Sequence, residues 1–371
     1  MRRLLGQILN RIVRDGLLLA LVAALPVLLW LAPARLADLP PLVDWKTVSA
    51  LAGLMVLSRG LEVSGLLDRV ARWVLLRLRS LRALAVTQVL LAAALSAVVT
   101  NDVALFVTVP LTLGLARLVA LPIGRLVVFQ ALAVNAGSAV SPVGNPQNLF
   151  LWQSREAGFW EFTLAMLPIS AGMLALVLAL VPLAFARAGL DLPPARAPIP
   201  LAGGLMALSL VSYPLFLWAV NAGFALAGAG VILAVFAIAC SRVLRGVDWA
   251  LLLVFVLMFV NLGLLGQIPG VAVQAAALMQ GDLAVFALGA GLSQAMSNVP
   301  AAIFLAPFAE DWRALAWGVN VGGFGLAIGS LANLIALRLA PGRGIWRDFH
   351  LWSVPMLLAS ALLGALLLAL T

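Results

Sequence analysis

Four short runs in this sequence hold residue types that could do chemistry. Thr100-Asn101-Asp102 and Ser297-Asn298 each sit in the middle of a long apolar stretch. So do Ser141-Pro142-Val143-Gly144-Asn145-Pro146-Gln147-Asn148 and Gly329-Ser330-Leu331-Ala332-Asn333. Polar side chains at that depth in hydrocarbon are costly unless they find partners. Pro142 and Pro146 remove backbone donors and break a helix. Irregular backbone inside a membrane is tolerated only where it is buried in protein or lines a cavity. There the freed carbonyls can coordinate a cation, and the amides and hydroxyls can bind a solute. Asp102 is the sharpest single residue, because an acid at mid-membrane depth can hold Na+, carry a proton or pair with an arginine. Asn101 and Asn145 are the oxygen donors that could share a Na+ with it. The plainer alternatives are polar caps on ordinary spanning helices, a proline kink with packing glycines, and an aspartate that only caps a helix N-terminus.

These residues need elements that deliver them to the bilayer centre. The chain has 371 residues, 64% hydrophobic and 10% charged, so lipid must solvate most of it. A spanning helix takes roughly 20 apolar residues, which leaves room for about ten. The apolar periodicity predicts spans at 16–32, 43–65, 83–118, 126–153, 162–186, 200–222, 223–241, 249–268, 281–310, 314–338 and 350–370. The segments 83–118 and 281–310 are polar at their centres. Each reads as a re-entrant hairpin whose second helix starts just after the polar tip, with Thr100 or Asn101, and likewise Ser297 or Asn298, as its cap. Segments 126–153 and 314–338 read as interrupted helices, the second preceded by Gly322-Gly323 and Gly325.

The net charge of +9 reflects 23 basic residues, all but Lys46 arginine, against 14 acidic ones, and most of the basic residues fall in short loops. That is the positive-inside pattern and not a nucleic-acid footprint. Arg2, Arg3, Arg11 and Arg14 precede the first span. Arg69, Arg72, Arg77, Arg79 and Arg82 share one loop, and Arg117, Arg125, Arg187, Arg196, Arg242, Arg245, Arg338, Arg343 and Arg347 lie on the same side. Arg35, Lys46, Arg155 and Arg313 lie opposite. The bias places the N-terminus cytoplasmic and the C-terminus outside; the expected location is a bacterial inner membrane. Cys240 is the only cysteine and His350 the only histidine, which excludes cysteine metal clusters and the two-histidine helix of metalloproteases. We expect neither an enzyme nor a bound cofactor beyond Na+ or H+ as a coupling ion. Arg59 and Glu62, at i,i+3 near the inner end of a span, read first as a local ion pair, with Glu62 reaching the site as the alternative. His350 reads as an interfacial residue at the start of the last span.

The chain also repeats itself. Asp44-Trp45 and Asp248-Trp249 each open an apolar segment. Thr100-Asn101-Asp102-Val103-Ala104 aligns with Ser297-Asn298-Val299-Pro300-Ala301. Asn135 precedes Gly144 by nine residues and Asn148 by thirteen, and Asn320 precedes Gly329 and Asn333 by the same intervals. Residues 1–190 form one repeat, with its hairpin at 83–118 and broken helix at 126–153. Residues 191–222 are a proline-rich linker and one extra helix, and 223–371 form the second repeat. The extra crossing turns the second copy upside down. The predicted fold is therefore an all-α polytopic membrane protein of two inverted-topology repeats, an arrangement that points to secondary transport with a site at the repeat interface.

At TNDVALFVTVPL (100–111), SPVGNPQNLFLW (141–152) and SNVPAAIFLAPF (297–308), the chain resembles the ion transporter superfamily. It is most similar to the arsenite-permease and NhaD-type branch, including its bacterial anion and citrate-type permeases. It more distantly resembles the divalent-anion:sodium symporters. The resemblance covers about 43 to 340. It implies a homodimer with a scaffold part and a moving transport part. In the symporters, Ser-Asn-Thr motifs at both hairpin tips bind Na+ and substrate. Thr100-Asn101 and Ser297-Asn298 match the first two positions; Asp102 and Val299 depart at the third. That departure suggests proton coupling or a different cation site. The expected function is ion-coupled movement of a small or inorganic anion by elevator-like access. Na+/H+ antiport and arsenite efflux are the alternatives, and a passive channel is a weaker one. Thr100, Asn101, Asp102, Ser141, Gly144, Asn145, Gln147, Asn148, Ser297, Asn298, Gly329, Ser330 and Asn333 form the candidate site, with Asn135, Asn320 and Glu62 secondary.

Overall fold

Helices form wherever the apolar runs allow, and they stop at the polar motifs. The computed structural model describes residues 16–32, 38–66, 69, 80–116, 120–155, 157–189, 200–268, 270–340 and 344–370. The basic residues before 16, Arg35, the arginine loop from 70 to 79, Arg117, the proline-rich boundary from 191 to 199 and Arg343 lie outside them. The chain is almost entirely helical, with no strand beyond one isolated bridge, Ser80 to Gly189, among the described residues.

The first half runs α1 (Gly16–Leu31), α2 (Trp45–Val63), α3 (Leu81–Val98), α4 (Asn101–Ala116), α5 (Ile123–Ser138), α6 (Pro146–Arg155) and α7 (Phe159–Ala184). The extra helix α8 (Gly203–Asn221) follows. The second half runs α9 (Ala225–Arg245), α10 (Trp249–Gln267), α11 (Val271–Leu278), α12 (Asp282–Met296), α13 (Asn298–Leu305), α14 (Trp312–Val321), α15 (Leu331–Leu339) and α16 (Ile345–Ala369). Six of these, α3, α7, α8, α9, α10 and α16, are long and apolar enough to cross a membrane. Their exposed Leu, Ile and Trp side chains, such as Leu183, Trp218, Ile238 and Leu362, match a lipid-facing surface.

Both polar-centred segments are helix-turn-helix units (α3–α4 and α12–α13), and both interrupted segments are broken (α5–α6 and α14–α15). Two differences from the sequence reading stand out. Helix α11 occupies a stretch read as connection, and α16 begins at Ile345, so His350 lies a turn inside it.

Matched positions pack alike in the two halves. Gly137 of α5 lies so close to the Ala93 backbone of α3 that a Cβ would strike its carbonyl. Its counterpart Gly322, at the end of α14, would meet Ser293 and the Ala290 carbonyl of α12. Each hairpin thus presses on the broken helix of its own half through a glycine. Each second half-helix crosses over to the other half, α6 against α13 and α15 against α4.

Candidate functional site

Thr100 and Ser297, at equivalent positions of the two hairpin tips, are the only non-glycine residues with positive φ among the described residues, at 120° and 75°. Side chains rarely accept that region, and such strain concentrates at functional sites. Neighbouring elements hold the first tip in place. Ser58 Oγ of α2 donates to the Val99 carbonyl at 3.0 Å, and Tyr213 of α8 donates to the Val98 carbonyl. The Asn101 N–H donates to the Gly144 carbonyl at 2.9 Å, which ties the tip to the first break. Asn101 Oδ1 accepts from the Asp102 N–H at 2.9 Å, a contact to the next residue that does not reach the second or third N–H of α4 as the expected cap would. At the second tip the expectation also fails: the Ser297 hydroxyl makes no capping bond.

The two breaks cross each other through asparagines. Asn135 Nδ2 donates to Asn333 Oδ1 at 2.7 Å, and Asn320 Nδ2 donates to Asn148 Oδ1 at 2.7 Å. These are the same bond made twice, because Asn135 and Asn320 are matched positions, as are Asn148 and Asn333. The backbone contacts repeat as well. Asn333 Nδ2 donates to the Gly323 carbonyl at 2.8 Å, and Asn148 Nδ2 contacts the matched Ser138 carbonyl at 3.4 Å and the Ala139 and Ser141 carbonyls at 3.0 Å. Asn145 Nδ2 donates to Ser138 Oγ at 3.0 Å and Asn320 Oδ1 at 2.9 Å, while its Oδ1 accepts from the Asn148 N–H. All these asparagines are buried. Two buried oxygens at the crossing, Gln147 Oε1 and Ser330 Oγ, have no hydrogen-bond partner among the described residues. Buried polar groups are rarely left so, which makes these two oxygens available to a bound ion, water or solute.

Beside this crossing is a cavity of about 490 Å³. Thr100, Asp102 and Val103 line it from the first hairpin tip, Pro146 from the start of α6, and Leu331, Ile335, Arg338 and Leu339 from α15. Leu51, Met55, Arg59 and Glu62 form the α2 wall, and Gly246, Val247, Asp248 and Leu251 the turn into α10. The N-termini of α4, α6 and α15 therefore meet at one cavity, and helix N-termini favour negative charge. No set of three or more His, Cys, Asp or Glu residues suited to a metal occurs among the described residues.

Residues 8–317 match the family model CitMHS, described as citrate transporter. The chain belongs to the CitMHS family. It is similar to "Inner membrane protein YbiR" of Escherichia coli, at 44% identity over 332 residues covering 89% of each chain. It is also similar to "Uncharacterized transporter MJ0456" of Methanocaldococcus jannaschii, at 32% identity over 308 residues, 81% of this chain and 82% of that one. The fold is shared with the YdaH transporter of Alcanivorax borkumensis, whose crystal structure was described as having an unusual topology. That likeness has a TM-score of 0.52 at 19% identity and covers 88% of this chain and 84% of the other. The chain is a multi-pass membrane transporter, and the superfamily resemblance read from its motifs agrees with this membership.

In this CitMHS protein, the candidate residues divide between two places. Asn135, Asn145, Gln147, Asn148, Asn320, Ser330 and Asn333 belong to the crossing, with Asn298 Nδ2 adjoining it at Gly323. Thr100 and Asp102 face the cavity, and so does Glu62. Ser141 Oγ is taken up by the Ala97 carbonyl at 2.6 Å, and Gly144 and Gly329 are close-approach positions where a Cβ would strike backbone. Of the proposed Na+ ligands, Asn145 has both ends of its amide engaged and Asn101 Oδ1 accepts from the Asp102 N–H, while the Asp102 carboxylate makes no hydrogen bond or ion pair among the described residues.

None of the four polar runs contains an arginine, yet the fold brings Arg59 and Arg338 to the same cavity. The signal for Arg59 was present: Leu51, Met55, Arg59 and Glu62 fall on one helical stripe, with an arginine inside an apolar span. Gln294 was missed because its role is to brace the second break, with Nε2 donating to the Gly322 carbonyl at 2.8 Å and Oε1 accepting from the Leu326 N–H at 2.8 Å. His350 also supports that break, its Nε2 accepting from the Ala327 N–H at 3.3 Å.

Proposed function

We propose that this protein is a secondary active transporter that moves a small anion or oxyanion across the inner membrane, coupled to Na+ or H+, by elevator-like alternating access between two inverted halves. The observation that carries the reading is the meeting of three helix N-termini and two arginines in one cavity beside crossed, interrupted helices. Helix starts and guanidinium groups attract an anion. Glu62, Asp102 and Asp248 line the same cavity, so three carboxylates face two guanidinium groups. An anion entering alone would add to that negative balance. A cation or proton taken up with it, on Asp102 at the first hairpin tip, offsets the added charge. Coupling follows from this charge count.

The arginine bias makes the cavity wall at Arg338 and Asp248 cytoplasmic, so the cavity belongs to an inward-facing arrangement. In this reading α2, α8 and α9 are scaffold, and the hairpins and broken helices move against them in a homodimer. Reconstituted vesicles test it. We expect uptake of one member of a panel of phosphate, sulfate, succinate and citrate to depend on a Na+ or H+ gradient, and Asp102→Asn to abolish the dependence. Flux that ignores every ion gradient would count for a channel. Na+-dependent H+ movement with no anion present, lost in Asp102→Asn, would count for antiport.

A further inference from the structure

We infer that Arg59 is the group that receives an oxyanion in the cavity, and that Glu62 is its resident substitute ligand, displaced when the oxyanion arrives. The inference deepens the anion-transport reading and rests on it for the identity of the cavity.

An arginine within an apolar helix is expensive and needs a reason. The pair with Glu62 is a partial one. Arg59 Nη1 meets Glu62 Oε2 at 2.6 Å, while Arg59 Nε is buried and has no partner among the described residues. Guanidinium presents parallel donors that match a carboxylate or phosphate two at a time. Glu62, three residues along the same helix, occupies only one of them. Nη2, which lies parallel to Nη1 on the outer edge of the fork and makes no hydrogen bond among the described residues, is the donor an external oxyanion can add. Position is enforced from the opposite side: a Cβ on Gly246 would lie 2.6 Å from Arg59 Nε, so the backbone of the turn before α10 closes over the guanidinium. Asp248 lines the same cavity but is engaged as the cap of α10, accepting from the Ala250 N–H at 3.2 Å. Once displaced, Glu62 has a second cation on the cavity wall in Arg338, which makes no ion pair among the described residues. A self-ligand of this kind keeps Arg59 compensated while the cavity is empty and lowers the affinity for solute by competing with it.

Full-length protein in detergent tests the assignment, with formate as a probe the size of the missing carboxylate. Glu62→Ala opens the place of Glu62, and Arg59→Gln/Glu62→Ala removes the receptor as well. Glu62 lies in the last turn of α2, where truncation leaves the helix interior intact, and Glu62→Ser is a second variant with the same opening. We expect formate at well above its dissociation constant to raise the melting midpoint of Glu62→Ala by several degrees. The parent protein and the double variant should stay unchanged. In the parent, Glu62→Gln should bind the transported anion about tenfold more tightly, and Arg59→Lys about tenfold more weakly, since the lysine keeps the charge but loses the fork. Equal responses to formate in Glu62→Ala and the double variant would overturn the inference, as would a parent that responds as strongly. If formate acts through Arg59 while no anion of the panel binds the parent, the Arg59–Glu62 assignment stands and the anion-transport reading fails.

Discussion

Replacing Asn320 by alanine removes the hub of the crossing, and the cost can be worked bond by bond. Asn148 Oδ1 loses the donor that reaches it at 2.7 Å. Gln147 Nε2 loses its acceptor at 3.4 Å, the only side-chain bond Gln147 makes among the described residues. Asn145 Nδ2 keeps Ser138 Oγ. Two buried groups are thus left without partners, at about 1–3 kcal/mol each. Hydrogen bonds measured inside membrane proteins average ~0.6 kcal/mol and reach ~1.7, which favours the lower part of that range. We expect Asn320→Ala to cost about 3 kcal/mol on this basis. Asn135→Ala, at the matched position, strands only Asn333 Oδ1, because the Gly323 carbonyl keeps Asn333 Nδ2. It should cost about half as much, roughly 1.5 kcal/mol. Unfolding in mixed micelles, followed by helical signal against denaturant fraction, gives both values with a common slope. Equal losses, or the larger loss in Asn135→Ala, would refute the assignment of Asn320 as the hub. If the crossing sets the relative position of the halves, both variants should also slow transport without altering which ion drives it.

Strain at the second hairpin tip separates shape from chemistry: Ser297→Gly should be more stable than Ser297→Ala by about 1 kcal/mol, because only glycine relaxes at the φ of 75° there. Thermal melting of the two variants decides it, and a more stable alanine variant would exclude strain. At the hairpin contact, Gly137→Ala forces a methyl into the Ala93 backbone and should cost about 1–3 kcal/mol. Gly291→Ala, also on a helix but with nothing within 4 Å, should be neutral or stabilising in the same melting assay. Arg155 donates to the Ala306 and Ala309 carbonyls at 2.5 and 2.7 Å and fastens the end of the second hairpin. Arg155→Gln should speed amide exchange at residues 305–311 about tenfold while leaving 101–116 unchanged, as expected for local opening. Uniform acceleration across the chain would mean that Arg155 stabilises the whole fold instead.

Much of this protein was legible from residue order alone, wherever a local cause sufficed. Pro142 and Pro146 break a helix in any context, and an Asn or Asp amid apolar residues ends one hydrophobic run and opens the next. The hairpin tips and both interruptions therefore fall where the sequence puts them. Equal intervals between asparagines also paired the positions whose bond the structure makes twice, Asn135 with Asn320 and Asn148 with Asn333. The connection read between 268 and 281 instead holds α11, an eight-residue helix too short to read as a span of its own.

Partnership was another matter. Nothing local says that Asn135 bonds to Asn333, or that Gln130 joins Gln88 and Thr112 at 3.1 and 2.8 Å to bind the first hairpin to α5. Arg59 and Glu62 satisfy each other on one helix, which made them look self-contained. Only the approach of α10, α15 and the first hairpin tip turned that helix face into a cavity wall. The sequence by itself determined where the helices start, break and repeat, since those depend on neighbours within a few residues. Tertiary structure alone decided which charges and amides meet. Their directions follow from helix phase and packing between segments more than a hundred residues apart, and no local pattern carries that information.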